Sequence, residues 1–170
     1  AEAVMRNVIR NIRILLKDMN NREARSELMW ASAMAENGIL KIGKVTDFQA
    51  HQIEHQLGAY TDCNHGQGLA VIHPALYRHL CKDGAKQFAR MARKVWDIPA
   101  EGRSEEELAL AGVEALADFV REIGMPATFT EMGITDKSVL KKVADTCNLT
   151  AGCCKKLSRE ENLEILEECW

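Results

Sequence analysis

The chain contains little proline and few aromatic residues, with three prolines and 5% Phe, Trp and Tyr among its 170 residues. Because proline interrupts helices and aromatic residues favour strands, their scarcity favours a helical fold. No apolar run approaches the roughly 18 residues of a transmembrane helix, and no signal peptide is recognisable, so we expect no membrane association. The formal net charge of −3 and the lack of a separate Lys/Arg cluster argue against a nucleic-acid partner.

Six cysteines are scattered through the chain: Cys63, Cys81, Cys147, Cys153, Cys154 and Cys169. A disulfide framework is typical of shorter secreted domains, whereas a chain of this length can bury about 68–70% of its unfolded surface in a core. We therefore predict reduced thiols and a cytoplasmic protein. The adjacent pair Cys153 and Cys154 lacks the C-x-x-C spacing, and we interpret both as small, half-buried apolar residues.

Apolar residues recur at helical spacing along the whole chain, which predicts a single all-α domain of about eight helices over residues 1–170. Ser104 and Ser158 are each followed three residues later by glutamate, which is typical of a capping box at a helix start. Thr46 and Asp47 are the expected N-cap of a helix that carries His51. The predicted helices cover about 4–16, 22–37, 47–58, 69–77, 85–96, 104–123, 136–147 and 158–170.

Three of the five histidines fall within fifteen residues, at His51, His55 and His65. His51 and His55 are four residues apart, so a helix places them one turn apart on the same face. His65 follows ten residues later, beside Gly66 and Gly68, where the backbone can pack closely. Three converging imidazoles are a donor set for a divalent transition metal, so this segment predicts a metal site.

The other polar residues of this segment add no unambiguous ligand. The peptidase motif His-Glu-x-x-His is excluded because Gln52, not glutamate, follows His51. Glu54 is the nearest carboxylate, but it lies off the helical face shared by His51 and His55. Asp47 could supply an oxygen ligand on that face, although its interpretation as a helix N-cap is favoured. We interpret the two remaining histidines as packing or solvent contacts: His73 and His79.

At these residues the sequence resembles the iron-containing alcohol dehydrogenase family, and within it the butanol dehydrogenase-like branch. The resemblance extends over essentially the whole chain. The stretches that carry it are LMWASAMAENG (28–38), DFQAHQIEHQLGAYTDCNHGQGLA (47–70), HPAL (73–76), and GMP (124–126) with MGI (132–134).

The resemblance implies a fold and a set of residue roles. Members of the family are two-domain enzymes, in which an N-terminal α/β half binds the nicotinamide cofactor and a C-terminal all-helical half carries the metal. This chain resembles the helical half alone. The resemblance implies that His51 and His65 bind the metal, that His55 serves proton transfer, and that Phe48 lines the substrate pocket. Iron is the favoured metal and zinc the alternative, because imidazole suits both.

The chain departs from the family pattern in two respects. The family's other two ligands, an Asp and a His four apart on one helix, have no counterpart here, since Asp47 matches the family's helix start. The family's Gly-Gly-Ser type cofactor motif is also absent, so NAD(P)H would bind through an N-terminal nucleotide-binding α/β domain that this chain lacks. We expect this chain to be inactive alone, and the full-length protein to be a homodimer that transfers hydride between NAD(P)H and a small aliphatic aldehyde.

Two alternatives remain open from the sequence. The chain could be a non-catalytic helical domain that acts as an interaction or structural module, and an exposed apolar face would favour this interpretation. It could also be a relative of the glycerol dehydrogenase type, which shares the fold but has different substrate walls.

Overall fold

A computed structural model describes the whole chain, residues 1–170, as eight α-helices and one short 3-10 turn, with no strand. The predicted all-α class and the predicted number of helices are confirmed. The helices are α1 (Glu2–Leu15), α2 (Arg22–Glu36), α3 (Gln49–Thr61), α4 (His65–His79), α5 (Ala85–Val95), α6 (Glu105–Glu122), α7 (Ser138–Thr146) and α8 (Arg159–Glu168), and the 3-10 turn is Ile39–Lys41.

Two apolar cores hold these helices together. The larger core contains 19 buried residues, drawn mainly from α3, α4, α7 and α8. A smaller core of six buried residues joins α5 and α6 to the segment that follows α4. Because α3 and α4 both contribute to the larger core, the two helices that carry the histidine segment are packed rather than free to move.

The helix starts that depend on local side-chain capping agree with the sequence analysis. Ser104 accepts a hydrogen bond from the backbone N–H of Glu107, whose carboxylate accepts in return from the backbone N–H of Ser104. Ser158 and Glu161 form the same reciprocal pair at the start of α8. Both predicted capping boxes are therefore confirmed, because the residues involved are only three apart.

The helix that carries His51 begins slightly later than predicted. Thr46 and Asp47 were the expected N-cap, whereas α3 starts at Gln49 with Phe48 in the N-cap position. Asp47 still supports this helix start, because its Oδ1 accepts a hydrogen bond from the backbone N–H of Gln49 at 2.9 Å.

The helix that follows begins earlier than predicted. It starts at His65 rather than near Leu69, because Asn64 caps it by accepting a hydrogen bond from the backbone N–H of Gln67. The prediction was wrong because it followed the apolar residues, which begin at Leu69, whereas Gly66 and Gly68 already lie within the first turn of α4. As a result His65 is a helical residue and not part of a loop.

The six cysteines are all free thiols. Three of them are buried in the apolar cores, namely Cys81, Cys147 and Cys169. The interpretation of Cys153 and Cys154 as half-buried is wrong, because both are exposed in the irregular connection between α7 and α8.

Exposed apolar side chains are concentrated in the first third of the chain. Eight of the ten large exposed ones lie between residues 16 and 48: Leu16, Met19, Met29, Trp30, Ile39, Ile42, Val45 and Phe48. We call this set the N-terminal apolar surface.

None of the eight helices has the combination of length and apolarity needed to cross a membrane.

The contact between α5 and α6 depends on Gly112. A Cβ atom at this position would lie 2.9 Å from Cβ of Ala92 and 3.0 Å from the backbone oxygen of Phe88. Because a backbone oxygen cannot move aside unless α5 shifts, we expect Gly112→Ala to lower the free energy of unfolding by about 1–3 kcal/mol. Urea denaturation measures this change. Leu110→Ala, on the exposed side of α6, is the control and should change stability by less than about 0.5 kcal/mol.

Candidate metal centre

The first two histidines lie on the outer face of α3. The inner face of this helix packs into the larger core through Ile53 and Leu57, which are almost completely buried. The helical period then turns His51 and His55 outwards, so that His51 is partly buried and His55 is exposed. Their ring centroids are 5.9 Å apart.

The third histidine is brought back to α3 by a short reversal of the chain. After α3 ends at Thr61, Asp62 adopts a left-handed backbone conformation with φ of 54°. Asn64 then caps α4, and His65 is the first residue of that helix. Since only three residues separate the two helices, His65 lies beside α3 rather than at the far end of the bundle.

The structure brings His51, His55 and His65 together. The ring centroid of His65 lies 5.4 Å from that of His51 and 5.3 Å from that of His55. One nitrogen atom of each ring can be chosen so that all three lie within 4.8 Å of one another. The two histidines proposed as ligands and the one proposed for proton transfer therefore share a single site.

The donor set of this site fits a divalent transition metal. Two nitrogens bound to one ion are at most about 4.2 Å apart, since a metal–nitrogen bond is about 2.1 Å long. The three ring nitrogens lie within 4.8 Å of one another, which is only slightly more than this limit for nitrogens bound to one ion. Imidazole nitrogen is a suitable ligand for both iron and zinc, so the residues present fit either metal.

A buried carboxylate, which the sequence analysis set aside, contacts this site. Glu54 is 2% exposed, and its Oε2 forms a hydrogen bond with Nδ1 of His65. Glu54 lies off the face of His51 and His55, as predicted, and on the side of α3 that faces α4. The contact was missed because His65 approaches from α4, on the other side of Glu54.

Two glycines lie next to Glu54, and they are the sequence feature that could have indicated the contact between Glu54 and His65. A Cβ atom at Gly68 would lie 2.7 Å from Cγ of Glu54 and 2.9 Å from its Oε1. Gly58 lies one helical turn after Glu54, and its Cβ would be 3.7 Å from the same Oε1. The absence of a side chain at Gly68 is therefore what leaves room for the carboxylate between α3 and α4.

Burial and neighbouring charge both keep His51 in its neutral form. Burial lowers the pKa of His51 below its ordinary value, and the positive charge that His65 and His55 can carry lowers it further. A histidine must be neutral to bind a metal ion. The lowered pKa therefore keeps His51 available as a ligand at neutral pH.

Asp47 is occupied by hydrogen bonds and is not part of the histidine cluster. In addition to the bond with Gln49 described above, its Oδ2 accepts from the backbone N–H of Cys153 at 3.0 Å and from Nε2 of Gln49 at 3.2 Å. The buried Gln49 also accepts from the backbone N–H of Leu157 and donates to the backbone oxygen of Lys155. These bonds hold the α7–α8 connection against the start of α3, which Asp47 supports from the position before the N-cap residue Phe48.

Two members of the histidine cluster, His51 and His65, line a cleft of about 640 Å³. Phe48 lies in the wall of this cleft together with His51 and His65. The ring of Phe48 is 5.4 Å from that of His51, and Nζ of Lys41 lies 5.1 Å from the Phe48 centroid. Phe48 thus lies in the wall of the space next to His51 and His65.

The other two histidines have the structural contacts that the sequence analysis expected. Nδ1 of His73 donates to the backbone oxygen of Leu69, and burial lowers the pKa of His73 to about 4. Its ring nevertheless lies 6.4 Å from that of His51, closer to the cluster than the sequence indicated. His79 is remote and pairs with Glu161 through its Nε2 at 3.0 Å.

Comparison with known proteins gives a consistent result over the whole chain. The sequence profile described as "Fe-containing alcohol dehydrogenase family, C-terminal" matches residues 1–170. The chain is 33% identical to a probable NADH-dependent butanol dehydrogenase of Bacillus subtilis, over 98% of this chain and 43% of that protein. It is 32% identical to NADH-dependent butanol dehydrogenase A of Clostridium acetobutylicum, over 100% of this chain and 44% of that protein.

Solved structures show the same similarity. A crystal structure of NADH-dependent butanol dehydrogenase A from Thermotoga maritima superposes with a TM-score of 0.90 and 31% identity, over 99% of this chain and 44% of that one. An aldehyde reductase from Escherichia coli superposes with a TM-score of 0.88 and 26% identity, over 99% of this chain and 45% of that one. The chain therefore spans less than half the length of the relatives it matches.

Proposed function

Since the chain belongs to the Fe-containing alcohol dehydrogenase family and matches its C-terminal part, we propose that it is the metal-binding half of an NAD(P)H-dependent alcohol dehydrogenase or aldehyde reductase. The observation that carries this proposal is the convergence of three imidazole nitrogens within 4.8 Å, two of them from residues that line a cleft, His51 and His65. The names of the relatives, butanol dehydrogenases and an aldehyde reductase, support a small aliphatic aldehyde or alcohol as substrate.

We propose that His51 and His65 hold a divalent metal and that His55 does not. A cation held there supplies Lewis-acid chemistry, which favours negative charge on the oxygen of a bound carbonyl group or alkoxide. His51 is kept neutral by burial, and Nδ1 of His65 is already bound to Glu54, which leaves its Nε2 for the cation. The residues around His51 and His65 therefore leave one nitrogen of each ring free to bind the metal.

His55 is proposed as the proton-transfer residue. It is exposed, whereas His51 beside it is partly buried, and unlike the exposed His65 its ring is not bound to Glu54. Its centroid lies 5.3 Å from that of His65, within reach of a group bound in the same site. Phe48, in the wall of the cleft, is proposed to contact the apolar part of the substrate.

We propose that the nucleotide site is not formed by the residues of this chain. No Gly-rich phosphate-binding loop follows a strand, since the structure has no strand. We propose that NAD(P)H, which supplies the hydride, is bound by an N-terminal α/β half. The Asp and the second His ligand that the resemblance implies would come from a helix that is not among residues 1–170.

An assay of NAD(P)H oxidation with butanal tests this function. We expect the full-length protein to oxidise NAD(P)H, to lose activity after treatment with a chelator, and to regain it with Fe²⁺ or Zn²⁺. We expect residues 1–170 on their own to show no turnover, because they provide two of the implied metal ligands and no nucleotide site. Turnover by the full-length protein that survives complete metal removal would contradict the proposal, and so would metal-dependent turnover by residues 1–170 alone.

Three finer points belong to the same proposal. Iron is favoured over zinc because the name of the family specifies iron, and metal analysis of the purified protein decides between them.

A cytoplasmic location is proposed because all six cysteines are free thiols, as in a reducing compartment. The full-length protein is proposed to be a homodimer, which size-exclusion chromatography with light scattering measures.

The N-terminal apolar surface supports a second candidate, a helical domain that binds another protein. Exposed apolar side chains such as Met29, Ile42 and Val45, at 75%, 76% and 77% exposure, are suited to a protein–protein contact. This candidate predicts no metal-dependent turnover in any form of the protein. The butanal assay therefore separates the two candidates.

A further inference from the structure

Glu54 places a carboxyl group in the buried region between α3 and α4, where a charged group is unfavourable in free energy. It is 2% exposed and lies on the inner face of α3, next to the core residues Ile53 and Leu57. A buried carboxylate is unfavourable unless it is paired and hydrogen-bonded, and an apolar side chain of similar size would pack a helix contact at least as well. Packing between α3 and α4 therefore does not explain why a carboxylate is present.

Both oxygens of Glu54 have partners. Oε2 forms the hydrogen bond with Nδ1 of His65, and Oε1 lies 4.0 Å from Sγ of Cys63, within the range of a thiol donor. The two partners come from the turn between α3 and α4 and from the first residue of α4. Glu54 thus links the buried face of α3 to the histidine that comes from the next helix.

The bond determines which nitrogen of His65 faces the site. A carboxylate accepts hydrogen bonds, so in this pair Nδ1 of His65 is the donor. The lone pair is then on Nε2, and the ring orientation is held by a group that is itself fixed in the core. Carboxylate–histidine pairs of this kind orient metal-binding histidines in other proteins and increase their basicity.

Gly68 is part of the same arrangement. A Cβ atom at position 68 would lie only 2.7 Å from Cγ of Glu54. Any side chain at this position therefore displaces the carboxylate. Gly68 is buried within α4 and has ordinary helical geometry, so its backbone does not require glycine. The space it leaves next to Glu54 is the reason for glycine at this position.

We propose that Glu54 is a positioning residue for metal binding, which fixes the tautomer and the orientation of His65, and that Gly68 is required to make room for it. This inference rests on the proposed function, because it takes His65 as a metal ligand. It adds a residue that acts through His65 without touching the metal or the substrate.

The test measures the affinity of the full-length protein for Zn²⁺ by competition with a chromophoric chelator. We expect Glu54→Ala to weaken Zn²⁺ binding by about 10- to 100-fold. Glu54→Gln retains an oxygen acceptor for Nδ1 of His65 and should give a smaller loss. Thermal unfolding of the metal-free variants shows whether the fold is intact, and Glu54→Gln keeps the test valid if Glu54→Ala fails to fold.

Gly68→Ala gives an independent test of the same arrangement. Alone, it should weaken Zn²⁺ binding to a similar extent as Glu54→Ala, because it displaces the carboxylate. Combined with Glu54→Ala it should cause little further loss, because the side chain with which it collides is gone. Such non-additivity is expected for two residues in contact.

Glu36→Gln is the matched control. This exposed carboxylate acts on His51 only through its charge and has no hydrogen bond to His65. Because exposed charges are screened, we expect less than about a threefold change in Zn²⁺ affinity. Wild-type affinity in Glu54→Ala, or an equal loss in Glu36→Gln and Glu54→Ala, would overturn the positioning role alone. If the wild-type protein binds no Zn²⁺, both the proposed function and this inference fail.

Discussion

Replacing His51 or His65 by alanine in the full-length protein is expected to remove the bound metal and the dehydrogenase activity together. A structural zinc site with four ligands binds with about 10–16 kcal/mol, so one ligand is worth roughly 3 kcal/mol, or about 100-fold in affinity. The two rings lie 5.4 Å apart in the same cleft, so one ion can be bound by both, and each substitution removes one of its bonds.

Metal content after dialysis and the rate of NAD(P)H oxidation check this prediction for both variants. His79→Ala is the matched control, because His79 pairs with Glu161 away from the cluster. We expect it to retain both metal and activity. A His51→Ala or His65→Ala protein with a full complement of metal would show that the site is elsewhere.

The second large effect is expected for His55→Ala, which should retain most of its metal but lose about 10²- to 10⁴-fold in kcat, the usual contribution of a general acid or base. The reason is the position of the ring, which is exposed and lies beside His65 without being held by a carboxylate. The cluster brings all three nitrogens within 4.8 Å, so geometry permits His55 to bind the metal as well.

Metal analysis of the three variants, purified in the same way, separates these roles. Loss of metal from His55→Ala equal to that from His51→Ala would make His55 a third ligand. Retention of metal with unchanged kcat would remove His55 from the reaction altogether. A pH profile of the variant adds a further check, because loss of a proton-transfer group changes the profile whereas a packing defect does not.

The parts of the fold that depend on residues close in sequence were predictable. The capping boxes at Ser104 and Ser158 involve partners three residues apart, and the helical periods of α1, α2 and α5 depend only on neighbouring turns. The start of α4 was not predicted, because the apolar residues of this helix begin only at Leu69. Packing of α4 against Glu54 is what makes Gly68 favourable there.

The same division applies to the candidate site. The spacing of His51 and His55 predicted a shared face, because positions four apart align on any helix. The link between Glu54 and His65 was not predicted, because it crosses a turn and joins the buried face of one helix to the start of the next. A single sequence contains no measure of how far such a turn brings two helices together.

The sequence alone determined the helical class, the main helix starts and the residues available as metal donors, since each of these depends on side-chain type and short-range spacing. The tertiary structure decided that three imidazoles meet at one point and that a buried carboxylate holds one of them. These are contacts between helices, and they exist because the apolar faces of α3 and α4 pack into a common core. That packing depends on the whole set of buried side chains rather than on any local motif.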